Sequence, residues 1–164
     1  MGTLSLITAA EYLHTHYASP EPDFVDGEVR QRAMPNSFHS ESVDALIAAF
    51  IRRAPDLFRR PELRLRTGEH YRVADLAVFD RKPSKAVPSE IPLVVIEVLS
   101  PDESLSELMG KFADYAAAGV PHIWLVDPML RRFWIYRAES LLATARFELT
   151  KRLLVIEPSD IFED

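Results

Sequence analysis

The sequence predicts an α/β fold, a central mixed β-sheet flanked by helices, on three observations. Two apolar, β-branched runs, Val73 to Phe79 and Leu93 to Leu99, have the length and composition of buried strands, and a third run, His122 to Asp127, follows them. Between the second and third, Leu105, Leu108, Phe112 and Tyr115 keep helical spacing until Gly119 and Pro121 stop the pattern. A helix of about Asp102 to Ala118 therefore crosses between two strands, with further helices ahead of them.

The elements can be justified in order. Thr8-Ala9-Ala10-Glu11 has the form of a capping box and opens a helix to about His16, which the stretch Ser19 to Pro22 ends. Phe24 and Val25, then Asp26-Gly27, then Val29 to Met34 read as a hairpin with an Asp-Gly turn. From Ser37 to about Arg53, Val43, Leu46, Ile47 and Phe50 recur at three and four residues, the signature of an amphipathic helix. Asp80 to Pro92 holds three prolines and is a loop. Past the turn at Asp127-Pro128, Phe133 to Tyr136 continues a β pattern, with Phe147 to Leu149 and Leu153 to Ile156 completing it.

A chain of 164 residues, 48% hydrophobic and 27% charged, can bury about two thirds of its unfolded surface as one domain, and residues 1–164 are expected to form one. There is no cysteine, which removes disulfides, thiolate metal sites and a cysteine nucleophile together, and a cytoplasmic location is the expectation. The first residues, MGTLSLITAAEYL, carry no basic, apolar leader pattern, so no membrane association is expected. A net charge of -6 argues against non-specific polyanion binding by the whole molecule. Its distribution is uneven. Arg52 to Arg72 contains seven arginines against three acids, while Glu157 to Asp164 holds four acids and no base. The basic stripe is either a solvated surface helix and loop or a phosphate-facing surface.

Two acids stand inside apolar strands: Asp75 in VADLAVF and Glu97 in VVIEVLS. Burying an unpaired carboxylate costs several kcal/mol. If the two strands pair, both acids can reach one spot, where repulsion raises one pKa unless a divalent cation sits between them. Mg²⁺, or Mn²⁺ in its place, suits such a partial oxygen shell completed by water and substrate phosphate. Buried Arg or Tyr partners for each acid are the alternative. Trp124 and Trp134 read as core or subunit contacts, and there is no Gly-rich phosphate loop, zinc spacing or nucleophile elbow.

Ala74-Asp75, Glu97 followed by Val-Leu-Ser-Pro, Lys111 four residues before Tyr115, AAGVPHIWLVDP at Ala117 to Pro128, and Asp26-Gly27-Glu28 together resemble the Uma-type family of the PD-(D/E)XK nuclease superfamily. The resemblance runs from Thr8 to Phe162. It implies a restriction-endonuclease-like core and an Mg²⁺-dependent endonuclease hydrolysing the phosphodiesters of a nucleic acid, DNA before RNA. In that pattern Asp75 and Glu97 hold the metal with the Val98 carbonyl, and Lys111 orients water and stabilises charge on the phosphate. Glu28 could complete the metal shell or take a proton, and His39 could contact a phosphate.

The usual acid-x-lysine would put lysine at position 99, which is Leu99 here, so Lys111 inherits that role by resemblance. An ordinary salt bridge with Glu107, four residues earlier, is the competing use of Lys111. Cutting both strands of a duplex needs two sites, which a homodimer would supply. The rivals are a catalytically idle nucleic-acid- or protein-binding module of the same fold, and a hydrolase for a small phosphate ester.

Overall fold

The computed structural model describes residues 6–163. Residues 1–5 and 164 lie outside, and with them the start of the stretch read for a leader and the last acid of the tail. Four helices and ten strands follow in order: α1 (Ala9–His14), β1 (Asp23–Val25), β2 (Glu28–Arg30), α2 (Ser37–Arg53), β3 (Phe58–Thr67), β4 (His70–Phe79), β5 (Val94–Val98), α3 (Leu105–Ala117), β6 (His122–Asp127), β7 (Arg132–Arg137), β8 (Ser140–Thr144), β9 (Phe147–Leu149), β10 (Leu154–Ile156) and α4 (Pro158–Ile161). The mixed α/β class is as the sequence predicts.

Local chemistry fixes the boundaries. Thr8 and Glu11 close the expected capping box on α1, and Asp26 and Gly27, both at positive φ, turn β1 into β2. The Asn36 side chain accepts the His39 amide at the start of α2. The crossover helix begins at Leu105, later than the expected Asp102, because Ser104 is the residue whose side chain caps it; Gly119, at φ 94°, follows its end.

The order of the main sheet is β2-β1-β4-β5-β6-β7-β8, with β3 added along β4. Only β5 and β6 run parallel; the other pairs are antiparallel. Side chains alternate across this sheet into two cores. Leu76 and Val78 of β4, Val94, Ile96 and Val98 of β5, and Trp124 pack on α2 and on the small β9–β10 ladder, where Phe147 stacks on Trp124. Ala77, Val95 and Leu125 pack on Leu108, Phe112 and Tyr115 of α3.

Strand β3 corrects the reading of the arginine stripe as helix and loop. It pairs with β4 from Phe58–Phe79 to Thr67–His70, and Leu63 and Leu65 join the α3-side core. Pro61 is tolerated because β3 is an edge strand, where a missing amide donor breaks no second ladder. Three of the seven arginines are drawn to internal acids: Arg53 to Asp160, Arg64 to Glu21 and Arg72 to Asp114. Arginines along an exposed edge also discourage strand addition by another chain.

Candidate active site

The site originates in a fork along β4. Strand β5 pairs with its far half, Leu76 to Val78, whereas β1 pairs with it at Tyr71. Between those two neighbours the backbone of Val73 is served by side chains. Its amide donates to Asp23 Oδ1 at 2.8 Å, and its carbonyl accepts from Lys111 Nζ at 2.7 Å. A buried backbone group left unpaired costs free energy, so Asp23 and Lys111 take the place of the missing ladder.

Asp75 lies just beyond that gap. Continuing the Leu76–Ile96 register by one residue sets it opposite Glu97, and alternation puts both on the sheet face of Ala77 and Val95. Asp75 is 3% exposed and Glu97 1% exposed, so their charges must be met from within. Asp75 Oδ2 accepts the Val98 amide at 2.8 Å and lies 3.2 Å from His39 Nε2; Oδ1 accepts from Arg32 Nη2 at 2.7 Å. On Glu97 the protein contacts fall on Oε1, which accepts from the Tyr115 hydroxyl at 2.6 Å and lies 3.1 Å from Lys111 Nζ. Lys111 and Tyr115 are four residues apart, so one face of α3 delivers both.

These neighbours separate the two acids electrostatically. Burial works against the charge of Asp75, but His39, Arg32 and Lys111 outweigh it and hold the carboxyl well below its ordinary range. For Glu97 burial dominates, Lys111 offsets part of it, and the adjacent Asp75 adds repulsion, leaving the carboxyl well above its ordinary value. Burial disfavours the Lys111 ammonium as well, yet Asp23 and Glu97 raise its pKa, so the amine stays charged. His39 is likewise raised, its burial outweighed by Asp75.

Protein groups thus offset the buried carboxylates, and a metal is not required to explain why the acids are tolerated. The Arg and Tyr partners weighed for them are Arg32 and Tyr115. Asp75, Glu97, Lys111 and His39 come together, and Val98 contributes its amide at the same place. Glu28 does not join them: its nearest cation is Arg30 at 3.6 Å, and it is absent from the crevice where Asp75 and Glu97 meet. Lys111 turns to Glu97, while Glu107 pairs with Arg30.

That crevice is about 10 Å³, roughly the space of one water, and is lined by Arg32, His39, Glu62, Asp75, Glu97 and Glu103 among others. Sequence reasoning missed Arg32, Asp23, Glu62 and Glu103. The spacing of Lys111 and Tyr115 was the one local signal for a shared acid partner; Arg32, 43 residues from Asp75, offers none.

The oxygens fit a hard divalent cation, being two carboxylates on adjacent strands with further acids at the rim. Among the described residues, however, no three metal-ligating side chains converge, so water and substrate would have to complete a shell.

The large mixed sheet carries a buried acid on each of two neighbouring strands, with a buried lysine on the crossover helix. The chain belongs to the Uma2 family, described as "Putative restriction endonuclease", which matches residues 9–162. Among solved structures, the crystal structure of "a putative nuclease belonging to DUF820" from Anabaena variabilis has a TM-score of 0.83 and 23% sequence identity, over 95% of this chain and 97% of that one. At that identity the likeness is one of fold. No curated protein matches the chain. Among the described residues no helix is long and apolar enough to cross a membrane.

Proposed function

We propose that the protein is a divalent-metal-dependent endonuclease acting on DNA, with Asp75 and Glu97 as ligands of Mg²⁺ or Mn²⁺. The observation that carries this reading is the pairing of Asp75 with Glu97 on one sheet face, with the Lys111 amine 3.1 Å from Glu97. The bound ion would supply Lewis-acid polarisation of the phosphoryl oxygen and a water of lowered pKa. Asp75, kept ionised by its cationic neighbours, provides the fixed negative charge, and the Val98 carbonyl is a further candidate ligand from the same strand end. Lys111, anchored by the Val73 carbonyl, orients the attacking water and stabilises charge growing on the phosphate. Tyr115 fixes the Glu97 carboxyl. His39, beside Asp75, would meet a phosphate oxygen, and Glu28 would act only from outside this group. A homodimer would supply the second site for a duplex cut.

The test is cleavage of supercoiled plasmid in Mg²⁺ or Mn²⁺ with an EDTA control, comparing wild type with D75N and E97Q. Metal-dependent cleavage that both variants lose is the expected outcome; cleavage by either variant at the wild-type rate rejects the assignment. The near-closed crevice, with its acids already satisfied, favours a second reading, a nucleic-acid- or protein-binding module without turnover. Salt-dependent DNA affinity with no cleavage in either metal would select it.

A further inference from the structure

The guanidinium of Arg32 is the most tightly committed cation of the crevice outside the proposed catalytic set. Its side chain is 12% exposed. One terminal nitrogen, Nη2, donates to Asp75 Oδ1 at 2.7 Å, and the other, Nη1, donates to Glu62 Oε2 at 2.8 Å and to the Glu21 carbonyl at 3.3 Å. Burial weakens its charge, but Asp75 and Glu62 more than compensate, and the guanidinium is held firmly protonated. Glu62 occupies the β3 position opposite Asp75 in the register, at φ 47°, a conformation that side-chain-bearing residues rarely adopt.

The two oxygens of Asp75 differ in what holds them. Oδ2 receives a backbone amide, that of Val98, which cannot leave without breaking the strand, together with His39. Oδ1 receives Arg32, a side chain that rotamer change can remove. Oδ1 is therefore the oxygen that side-chain movement alone can free for a divalent ion, and Arg32 already stands on it. Two cations cannot share that position at contact distance, because their repulsion would add to the loss of the hydrogen bond. A group meant to grip a phosphate would present donors to solvent; both terminal nitrogens of Arg32 are turned to acids and a carbonyl instead.

We infer that Arg32 is a displaceable stand-in for the metal: it neutralises and positions Asp75 while the site is empty, and metal binds only as the guanidinium leaves Asp75 Oδ1. This rests on the metal-dependent reading of the same site. It makes Arg32 a positioning residue that keeps the buried acids folded at the expense of metal affinity, since each binding event must also break an ion pair.

Mn²⁺ binding to wild type, R32Q and D75N, followed by calorimetry and by the Mn²⁺ electron paramagnetic resonance signal without DNA, tests it. The expected result is dissociation constants about tenfold or more lower for R32Q than for wild type, a difference of about 1.4 kcal/mol, with no binding by D75N. Equal or weaker binding by R32Q, with D75N inactive in binding, overturns the stand-in role and leaves the metal site intact. Absence of binding by both wild type and R32Q overturns the metal site and the stand-in role together.

Should R32Q fail to fold, wild type and the conservative variant R32K answer together. The Arg32 guanidinium proton resonances, assigned by their loss in R32K, are expected to lose their restricted, ion-paired character as Mg²⁺ saturates the protein. Retention of that character at saturation rejects displacement.

Discussion

Strand β4 carries two ion networks, and they differ in how their acids are spaced. Near its start, His70 sits between Asp26 at 2.8 Å and Asp114 at 3.0 Å, and Arg72 links Asp114 at 2.6 Å to Asp23 at 3.3 Å. Acids and bases alternate there, so every carboxylate meets a cation. Five residues further on, Asp75 and Glu97 stand side by side as like charges, and their pKa values are driven apart. The first network ties the β1–β2 turn, β4 and α3 together. The second leaves one carboxyl ionised and its neighbour reluctant to ionise, the arrangement found where proton or metal chemistry is performed. Cations meet the acids of both networks; what sets the second apart is that two of its acids are neighbours.

The sharpest way to break this contrast is D75N. It should lower metal-dependent DNA cleavage by about a thousandfold or more and, by removing the acid that Arg32 and His39 share, cost about 3–5 kcal/mol in urea unfolding. E97Q should abolish cleavage to a similar degree, yet its stability should move the other way. A carboxyl whose folded pKa is raised stabilises fully only below its unfolded value near 4.5, and that contribution is lost as pH rises through the folded value. Wild type should therefore lose stability with rising pH through this group, and E97Q should remove that slope and match or exceed wild type at pH 8. Asp75 has the reverse sign: its depressed pKa stabilises above 3.8 and the benefit fades as pH falls. Parallel urea titrations at pH 5 and pH 8 read the Glu97 slope, which D75N keeps and E97Q loses, while the Asp75 contribution changes only below pH 3.8; equal slopes in the two variants would erase the distinction.

K111M should reduce cleavage by about 10² to 10³-fold, and it should cost about 1–3 kcal/mol because the Val73 carbonyl loses its partner. The smallest effect belongs to the other network. Burial opposes the charge of His70, but its bonds to Asp26 and Asp114 raise its pKa above 6.5. Its stabilising contribution is complete below pH 6.5 and is lost as pH passes the folded value. H70Q should leave cleavage unchanged and flatten a modest stability difference between pH 5.5 and pH 8.5; a loss of cleavage would join the two networks functionally.

Much of this was legible in the sequence because the signals were local. Helix α2 was read at its observed limits, and the apolar runs around Asp75 and Glu97 located the strands whose register brings them together. Strand β3 was hidden because Pro61 interrupts it and four arginines fill it, although Leu63 and Leu65 alternate as a strand should. Within the site, Lys111 and Tyr115 were visible as a helical pair. Arg32 and Asp23 were not, since each reaches its partner across a sequence separation above 40 residues, Asp23 from the first position of β1 and Arg32 from just after β2, short strands with no chemical signature of their own. Side-chain partners that fill a gap in a sheet become apparent only when the gap itself is known.

The divergence of β1 from β5 has one more consequence. A recess opened by two strands parting company is walled by hydrogen-bonded sheet, so its chemistry can be rewritten by side-chain exchange while the surrounding framework stays in place. Loss of catalysis in such a protein would leave an intact scaffold, already furnished with a charged recess, free to take up recognition instead.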